Sequence, residues 1–204
     1  MNPIQHAIES RVSTNDYDAE RALSDDTIAN LISLATRAPS AYNLQNWCFI
    51  AVRSAEAKAR LKEVAYGQQK VMDAAVSVIV CGTLDGHRQL ARMLQPAVAA
   101  DILSQRTADS WVAQAGRSYA DQPVLQRDEA IRSASLAAMT LMLAAEGMGL
   151  SSCPMTGFDS AALSREFGLT AQQIPALIVT IGYRANDEAR QKPRKPLSEV
   201  LQLV

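Results

Sequence analysis

Alternation of helix-like stretches with short apolar runs predicts an α/β protein, and on periodicity alone a doubly wound parallel sheet. Two observations carry that expectation. Residues 47–52, 76–82 and 176–182 are short and almost wholly apolar, as buried strands are. Helical patterns separate each run from the next, which is the spacing crossover connections need. Size and composition set the frame. At 204 residues, 48% hydrophobic and 20% charged, the chain is globular. It fits one domain over residues 1–204, or one protomer whose core a partner completes.

The elements follow in order. Ile28, Leu31, Ile32, Leu34 and Ala35 recur at helical spacing, with Ser24 placed as the N-cap and Asp25 and Asp26 suited to the helix dipole. Pro39 disfavours helical geometry at Ala38, so this helix is expected to end there. The connection that follows carries Ser40, Asn43 and Gln45, whose hydroxyl and amide groups can bond a polar ring edge. By spacing alone it is as readily an ordinary helix-to-strand turn. After the run at 47–52 come a helix-like 55–65, the run at 76–82, and a polar helical stretch at 85–119 that Pro96 interrupts or turns. Residues 127–147 give the longest helix signal. Asp128 and Glu129 are expected in its first turn and Gly147 at its C-terminal cap. Its part at 136–145 is apolar on every side, which means burial in a core or at a subunit interface. It is too closely bracketed by Arg132 and Glu146 to span a membrane. The last strand signal is at 176–182.

Several chemistries are disfavoured. Lys plus Arg (20) nearly balances Asp plus Glu (21), so no basic surface advertises nucleic acid. His6 and His87 have no carboxylate or cysteine at metal-ligand spacing, and no metal site is expected. There is no G-x-S-x-G elbow or Walker loop. Cys48, Cys81 and Cys153 form no C-x-x-C motif and are expected as reduced, mostly buried thiols. The start MNPIQHAIES lacks a charged flank and an apolar h-region. A cytoplasmic protein, with no signal peptide, is the expectation.

Five segments in order carry a family resemblance. They are Arg11-Val12-Ser13; Ala38-Pro39-Ser40-Ala41-Tyr42-Asn43-Leu44-Gln45-Asn46-Trp47; Gly67 to Ala74; Cys153-Pro154-Met155-Thr156-Gly157-Phe158-Asp159; and Ile181-Gly182-Tyr183 with Pro193-Arg194-Lys195-Pro196-Leu197. Together they cover nearly the whole chain, which resembles the FMN-dependent nitroreductase family. Arg127 to Arg132 with Ser135-Leu136 is similar to a branch of short NAD(P)H nitroreductases associated with quinone stress. The resemblance implies an α+β three-layer sandwich, with a mixed, mostly antiparallel sheet flanked by helices, in an entwined homodimer. We prefer it to the doubly wound fold because Gly147-Met148-Gly149-Leu150-Ser151-Ser152 is a poor dinucleotide fingerprint. It lacks the third glycine, and it leaves a helix instead of opening one after a strand.

The resemblance also implies a site for FMN, reduced by NAD(P)H. Arg11, Val12 and Ser13 would hold the phosphate, joined by Lys192 and Arg194 from the tail, since guanidinium forks match phosphate oxygens. Pro39, Ser40, Ala41 and Asn43 would reach the flavin of the partner subunit. Gln68 and Lys70 would bond the pyrimidine edge or ribityl chain, the register being open by one residue to Gln69. Pro154, Met155, Thr156 and Gly157 would cross the far side of the ring, and Met155 alone among the methionines is singled out to touch it. Two departures stand out. Thr156 occupies a place where many relatives carry an acid, leaving a backbone N–H as the implied donor to N5. Asn15 occupies a place where they carry a cation, so either Lys70 substitutes or the flavin has a lower potential. The implied activity is electron transfer from NAD(P)H to quinones or nitroaromatics by a ping-pong mechanism, with no catalytic side chain. The alternatives are reduction of enals or semialdehydes on the same fold, or a flavin sensor or store without turnover.

Overall fold

The computed structural model describes residues 2–186 and 188–204. The chain begins with helix α1 (Pro3–Ser10) and α2 (Asp25–Ala35), then a 3-10 turn (Ala41–Asn43) and strand β1 (Trp47–Val52). Next come α3 (Ala55–Val64), α4 (Lys70–Asp73), β2 (Val76–Thr83), α5 (Gly86–Ala99), α6 (Gln105–Tyr119) and α7 (Pro123–Gly147). The order closes with β3 (Ser151–Met155), α8 (Ser160–Glu166), β4 (Gln173–Gly182) and α9 (Leu197–Val200). The strands form one sheet in the order β1-β2-β4-β3, and each neighbouring pair is antiparallel. The parallel doubly wound sheet suggested by periodicity is therefore wrong, and the α+β sandwich holds. A parallel bridge, Ser13 to Ser152, lies outside the named strands, so among the described residues the sheet itself is antiparallel and not, as expected, mixed.

Alternating side chains divide the core into layers. Val76, Val78 and Val80 of β2 and Val179 and Ile181 of β4 face α2 and α7, meeting Leu31, Ala134, Ala138 and Leu141. Ile79, Cys81 and Ile178 face the opposite way, onto Leu61 of α3 and Leu163 of α8. A third cluster, built on Leu90, Leu94, Ala108 and Ala115, joins α5 to α6 beside Leu44. Close approach of α7 to the sheet depends on Gly82, where an added Cβ would meet the Ala130 carbonyl oxygen at 2.4 Å.

Some boundaries differ from expectation for local reasons. Helix α2 stops at Ala35, three residues before Ala38, and bonds from Arg37 N–H to Leu34 O and from Ala38 N–H to Ala35 O tighten the turn. Pro96 neither breaks nor opens a helix but sits inside α5, which ends at Ala99. Helix α7 starts at Pro123, a favoured first-turn residue, so Asp128 and Glu129 are not in its first turn. Its C-cap is Met148, and Gly149 supplies the left-handed position (φ 73°) expected of Gly147. On α7, Ala137, Ala138, Leu141, Met142 and Ala145 are buried while Leu136 and Met139 remain exposed, so burial within one chain is not all-round. Strand β3, at Ser151–Met155, falls in a stretch with no strand signal in the sequence and contains Pro154. It is tolerated there because β3 is an edge strand.

Candidate functional site

The expected site residues fall into two groups. In the first, Arg11 ends α1, its N–H bonding Ala7 O, and the chain then extends along β3. Ser13 bridges Ser152, and the Thr14 N–H donates to Ser152 O at 3.1 Å. Lys70 reaches over from α4, its Nζ donating to Asn15 Oδ1 at 2.9 Å and lying 3.5 Å from Cys153 Sγ. Gln68 Nε2 donates to Gly157 O at 2.8 Å and to Ala65 O at 3.1 Å, clipping the loop after β3 to the end of α3. Gln69 instead bonds Lys62 and Asp73, so Gln68 is the glutamine that faces the Pro154–Gly157 stretch. The tail returns to the same place. Gln191 Nε2 donates to Arg11 O at 3.0 Å, and Arg194 donates to Gln191 Oε1 at 2.7 Å and to Lys192 O at 2.6 Å. Beside these lies a cleft of about 220 Å³, lined by Ser13, Thr14, Asn15, Asp16, Asn186, Glu188, Ala189, Arg190 and Lys192.

The electrostatics of this group point to an anionic ligand. Among the described residues, buried Arg11 Nη1, Thr14 Oγ1 and Ser152 Oγ have no hydrogen-bond partner. A buried polar group left unpaired costs about 1–3 kcal/mol. Three of them belong to segments joined by the Ser13–Ser152 bridge, flanked by the cations Lys70, Lys192 and Arg194. That donor set fits a phosphate with adjoining hydroxyls. Two expected contacts change character. Val12 is buried, and Met155 packs with Val52, Leu61, Leu163 and Ile178 in the core. Strand alternation turns the Met155 side chain inward and leaves Pro154 outward, so only the Met155 backbone faces the same way as the loop. Thr156 and Gly157 lie exposed just past β3.

The second group is the turn after α2. Ser40 Oγ accepts from the Gln45 N–H at 2.9 Å and closes the loop. Tyr42, Asn43 and Gln45 adopt φ of 52°, 60° and 48°, left-handed backbone that costs each residue about 1 kcal/mol or more. The Ser40–Gln45 bond that closes the loop and the backbone turn from Ser40 to Leu44 hold this strained segment in place. Tyr42 is anchored edge-on to Trp111 of α6, with ring centroids 6.3 Å apart. A cavity of about 720 Å³ opens here, lined by Arg37, Asn43, Gln45, Arg92, Met93, Pro96, Ala97 and Ile102. Among the described residues, no recorded hydrogen bond joins this loop to the first group. Sequence reasoning missed Thr14, Ser152, Gln191 and Arg92. The first three matter only through pairings distant in the chain, and Arg92 lies in the stretch where no motif matched.

With this geometry in hand, known proteins can be compared. A family model described as "Nitroreductase family" matches residues 8–183, which include both groups apart from the tail residues after Tyr183. The chain is 32% identical to YodC of Bacillus subtilis, named "Putative NAD(P)H nitroreductase", over 95% of each chain. It superposes on the B. subtilis "putative nitroreductase ydfN" with a TM-score of 0.91 at 30% identity, covering 98% of each chain. A "putative nitroreductase in complex with FMN" from Exiguobacterium sibiricum is similar too, with a TM-score of 0.91 at 25% identity, over 98% of this chain and 97% of that one.

Proposed function

The chain belongs to the nitroreductase family, and from that premise we propose that it is an FMN-carrying oxidoreductase that moves electrons from NAD(P)H to quinones or nitroaromatics. One observation carries the proposal. The orphaned buried atoms of Arg11, Thr14 and Ser152 lie on segments that Lys70 reaches through Asn15 and the tail reaches through Gln191, an arrangement that suits a phosphate with its ribityl chain. Arg11 and Ser13 would hold the phosphate, joined by Lys192 and Arg194 from the tail. Lys70 beside Asn15 supplies the positive charge that Asn15 lacks, and so favours negative charge at the pyrimidine end of the ring. Gln68 holds the Gly157 carbonyl and keeps the loop after β3 in place, where the Thr156 N–H is the donor to the ring. Pro39, Ser40, Ala41 and Asn43 serve the site of the second subunit.

FMN would supply the redox chemistry between NAD(P)H and the acceptor, so no side chain is assigned a catalytic role. Donor and acceptor would use the same site in turn, which predicts ping-pong kinetics. A homodimer is part of the proposal. Ile4 and Ile8 of α1, Leu136 and Met139 of α7, and Leu197, Val200 and Leu201 of the tail are all exposed in the single chain. A second copy would cover them.

The purified protein should be yellow, with about one FMN per chain. Initial rates with NADPH or NADH against a quinone should give parallel double-reciprocal lines. A protein that stays colourless after incubation with FMN overturns the proposal. A yellow protein that oxidises neither dinucleotide, with any acceptor in a panel of quinones, nitroaromatics and enals, is a flavin binder instead. Within the site, Thr156→Ala should leave FMN affinity within a few-fold of the parent, while Thr156→Pro, which deletes the N–H, should weaken both binding and reduction. Equal damage from the two would assign the role to the hydroxyl.

A further inference from the structure

Away from both groups, Cys48 on β1 lies directly opposite Cys81 on β2. The Thr83 N–H donates to Asn46 O at 2.9 Å, which marks that opposed pair as hydrogen-bonded, and two residues further along the ladder the Cys48–Cys81 pair is of the same kind. Such a pair holds its Cα atoms about 5.5 Å apart, within the roughly 4.4–6.8 Å that disulfides span. Both side chains project from the same sheet face, against Leu61, Val71 and Ile178. Beyond Cys81 the ladder is loosened. Its partner on β4 is Pro175, which has no N–H to donate, and the register shifts between Val80 and Cys81. The backbone there can adjust to a new bond.

The two thiols are also unequal. Cys81 is fully buried, whereas Cys48 is half-buried and reachable from solvent. Hydrogen bonds to the Cys48 sulfur, first from the Cys81 thiol and then from Gln173 Nε2 at 3.1 Å, hold its pKa below the ordinary thiol value against the opposing effect of burial. Its bond to Cys48 and its burial push Cys81 upward. One sulfur is thus set to attack and the other to stay protonated until it resolves the product.

We propose that Cys48 and Cys81 form a hydroperoxide-reactive dithiol that closes to a reversible intrachain disulfide. The Cys48 thiolate attacks one peroxide oxygen, the O–O bond breaks, and the departing oxygen takes up a proton, leaving Cys48 as a sulfenic acid. The Cys81 sulfur attacks that sulfur, the S–O bond breaks, and water leaves with the Cys81 proton. Two thiols are oxidised and one hydroperoxide is reduced. Closure draws Cys48 away from Gln173, which lines a cavity of about 450 Å³ together with Gln45, Asn46 and Trp47. The thiol state is therefore coupled to the segment leading from the Ser40–Asn43 turn into β1.

The test treats the full-length protein with hydrogen peroxide, blocks remaining thiols by alkylation, and reads intact mass and a peptide map. The expected product is lighter by two hydrogens, links the Cys48 and Cys81 peptides, and reverts with dithiothreitol. Cys48→Ser and Cys81→Ser should each abolish the link, and Cys153→Ser should retain it. The parent's map decides the matter even if a serine variant misfolds. A link through Cys153 or between chains, oxygens added to Cys48 without a link, or no change at peroxide levels that oxidise a free thiol would each overturn the proposal. Alkylation of Cys48 in the native protein should vary little between about pH 7 and 9, where an ordinary thiol speeds up roughly tenfold or more. A native rate as steep as that of the denatured chain removes Cys48 as the attacking group.

Discussion

At the scale of single residues, the fold places polar atoms where only a ligand or a close neighbour can satisfy them. Arg11 is the clearest case, with a buried guanidinium nitrogen that has no partner among the described residues and a backbone carbonyl held by Gln191. Removing charge-assisted bonds to a phosphate costs roughly 1.5–3 kcal/mol, so Arg11→Ala should weaken FMN binding about ten- to a hundred-fold in a fluorescence titration. Unchanged binding would move the phosphate elsewhere. Tyr17 shows the opposite condition, a buried hydroxyl fully satisfied by Thr180 O at 3.1 Å and Thr180 Oγ1 at 2.9 Å. Burial pushes its pKa well above the ordinary tyrosine value. The unfolded chain ionises this residue near pH ~10 and the folded one does not, so above that pH the unfolded state holds fewer protons and stability falls. The contribution of Tyr17 is fully present below pH ~10 and is lost as pH rises through its folded pKa. Tyr17→Phe should cost about 0.5–1.5 kcal/mol at neutral pH and make the alkaline decline shallower, as read from urea midpoints at pH 8 and near ~11. An unaltered decline would exclude Tyr17 as its source.

At the scale of elements, what the chain discloses depends on whether the cause is local. The runs at β1, β2 and β4 were legible as strands because they are short, apolar and bounded. Their directions were not, because β2 and β4 are buried on both faces, the pattern otherwise typical of parallel strands. Strand β3 was hidden because its pairing with β4 overrides the local signal of Pro154. The cations and amides of the site could be named from motifs, whereas Thr14, Ser152 and Gln191 enter it through bonds between remote segments. Packing of α7 on β2 has the same non-local origin and gives a direct test. A Cβ on Gly82 would lie 2.4 Å from Ala130 O and 2.8 Å from Ala130 Cβ, so α7 and β2 must move apart to admit it. Gly82→Ala should lower stability by about 1–3 kcal/mol in urea denaturation. Gly116→Ala, on α6 with open space around its added Cβ, should raise it by roughly 0.5–1 kcal/mol. A stability gain at Gly82 like that at Gly116 would mean that lost backbone freedom, and not the close approach of α7, governs Gly82.

For the whole molecule, the single chain is unfinished in a consistent way. Helix α1 buries none of its residues, and α7 exposes Leu136 and Met139 beside a face already packed on the sheet. The tail carries Leu197, Val200, Leu201 and Leu203 in the open, while its Gln191 bonds Arg11 at the end of α1 and Arg194 bonds Gln191. The strained Ser40–Asn43 turn is oriented at its own cost without serving the Arg11–Lys70 group of its own chain. A second copy would remove all four irregularities together, by covering the apolar faces and giving the turn a flavin to meet. Folding and association are then inseparable, and the melting temperature should rise with protein concentration. Light scattering should return twice the 22.0 kDa chain mass at every workable concentration. The paired change Leu136→Glu with Met139→Glu should produce monomers that have lost FMN, because each subunit then lacks the other's turn. A monomer that keeps its flavin at the parent's affinity would place the whole site within one chain and separate the dimer from the chemistry.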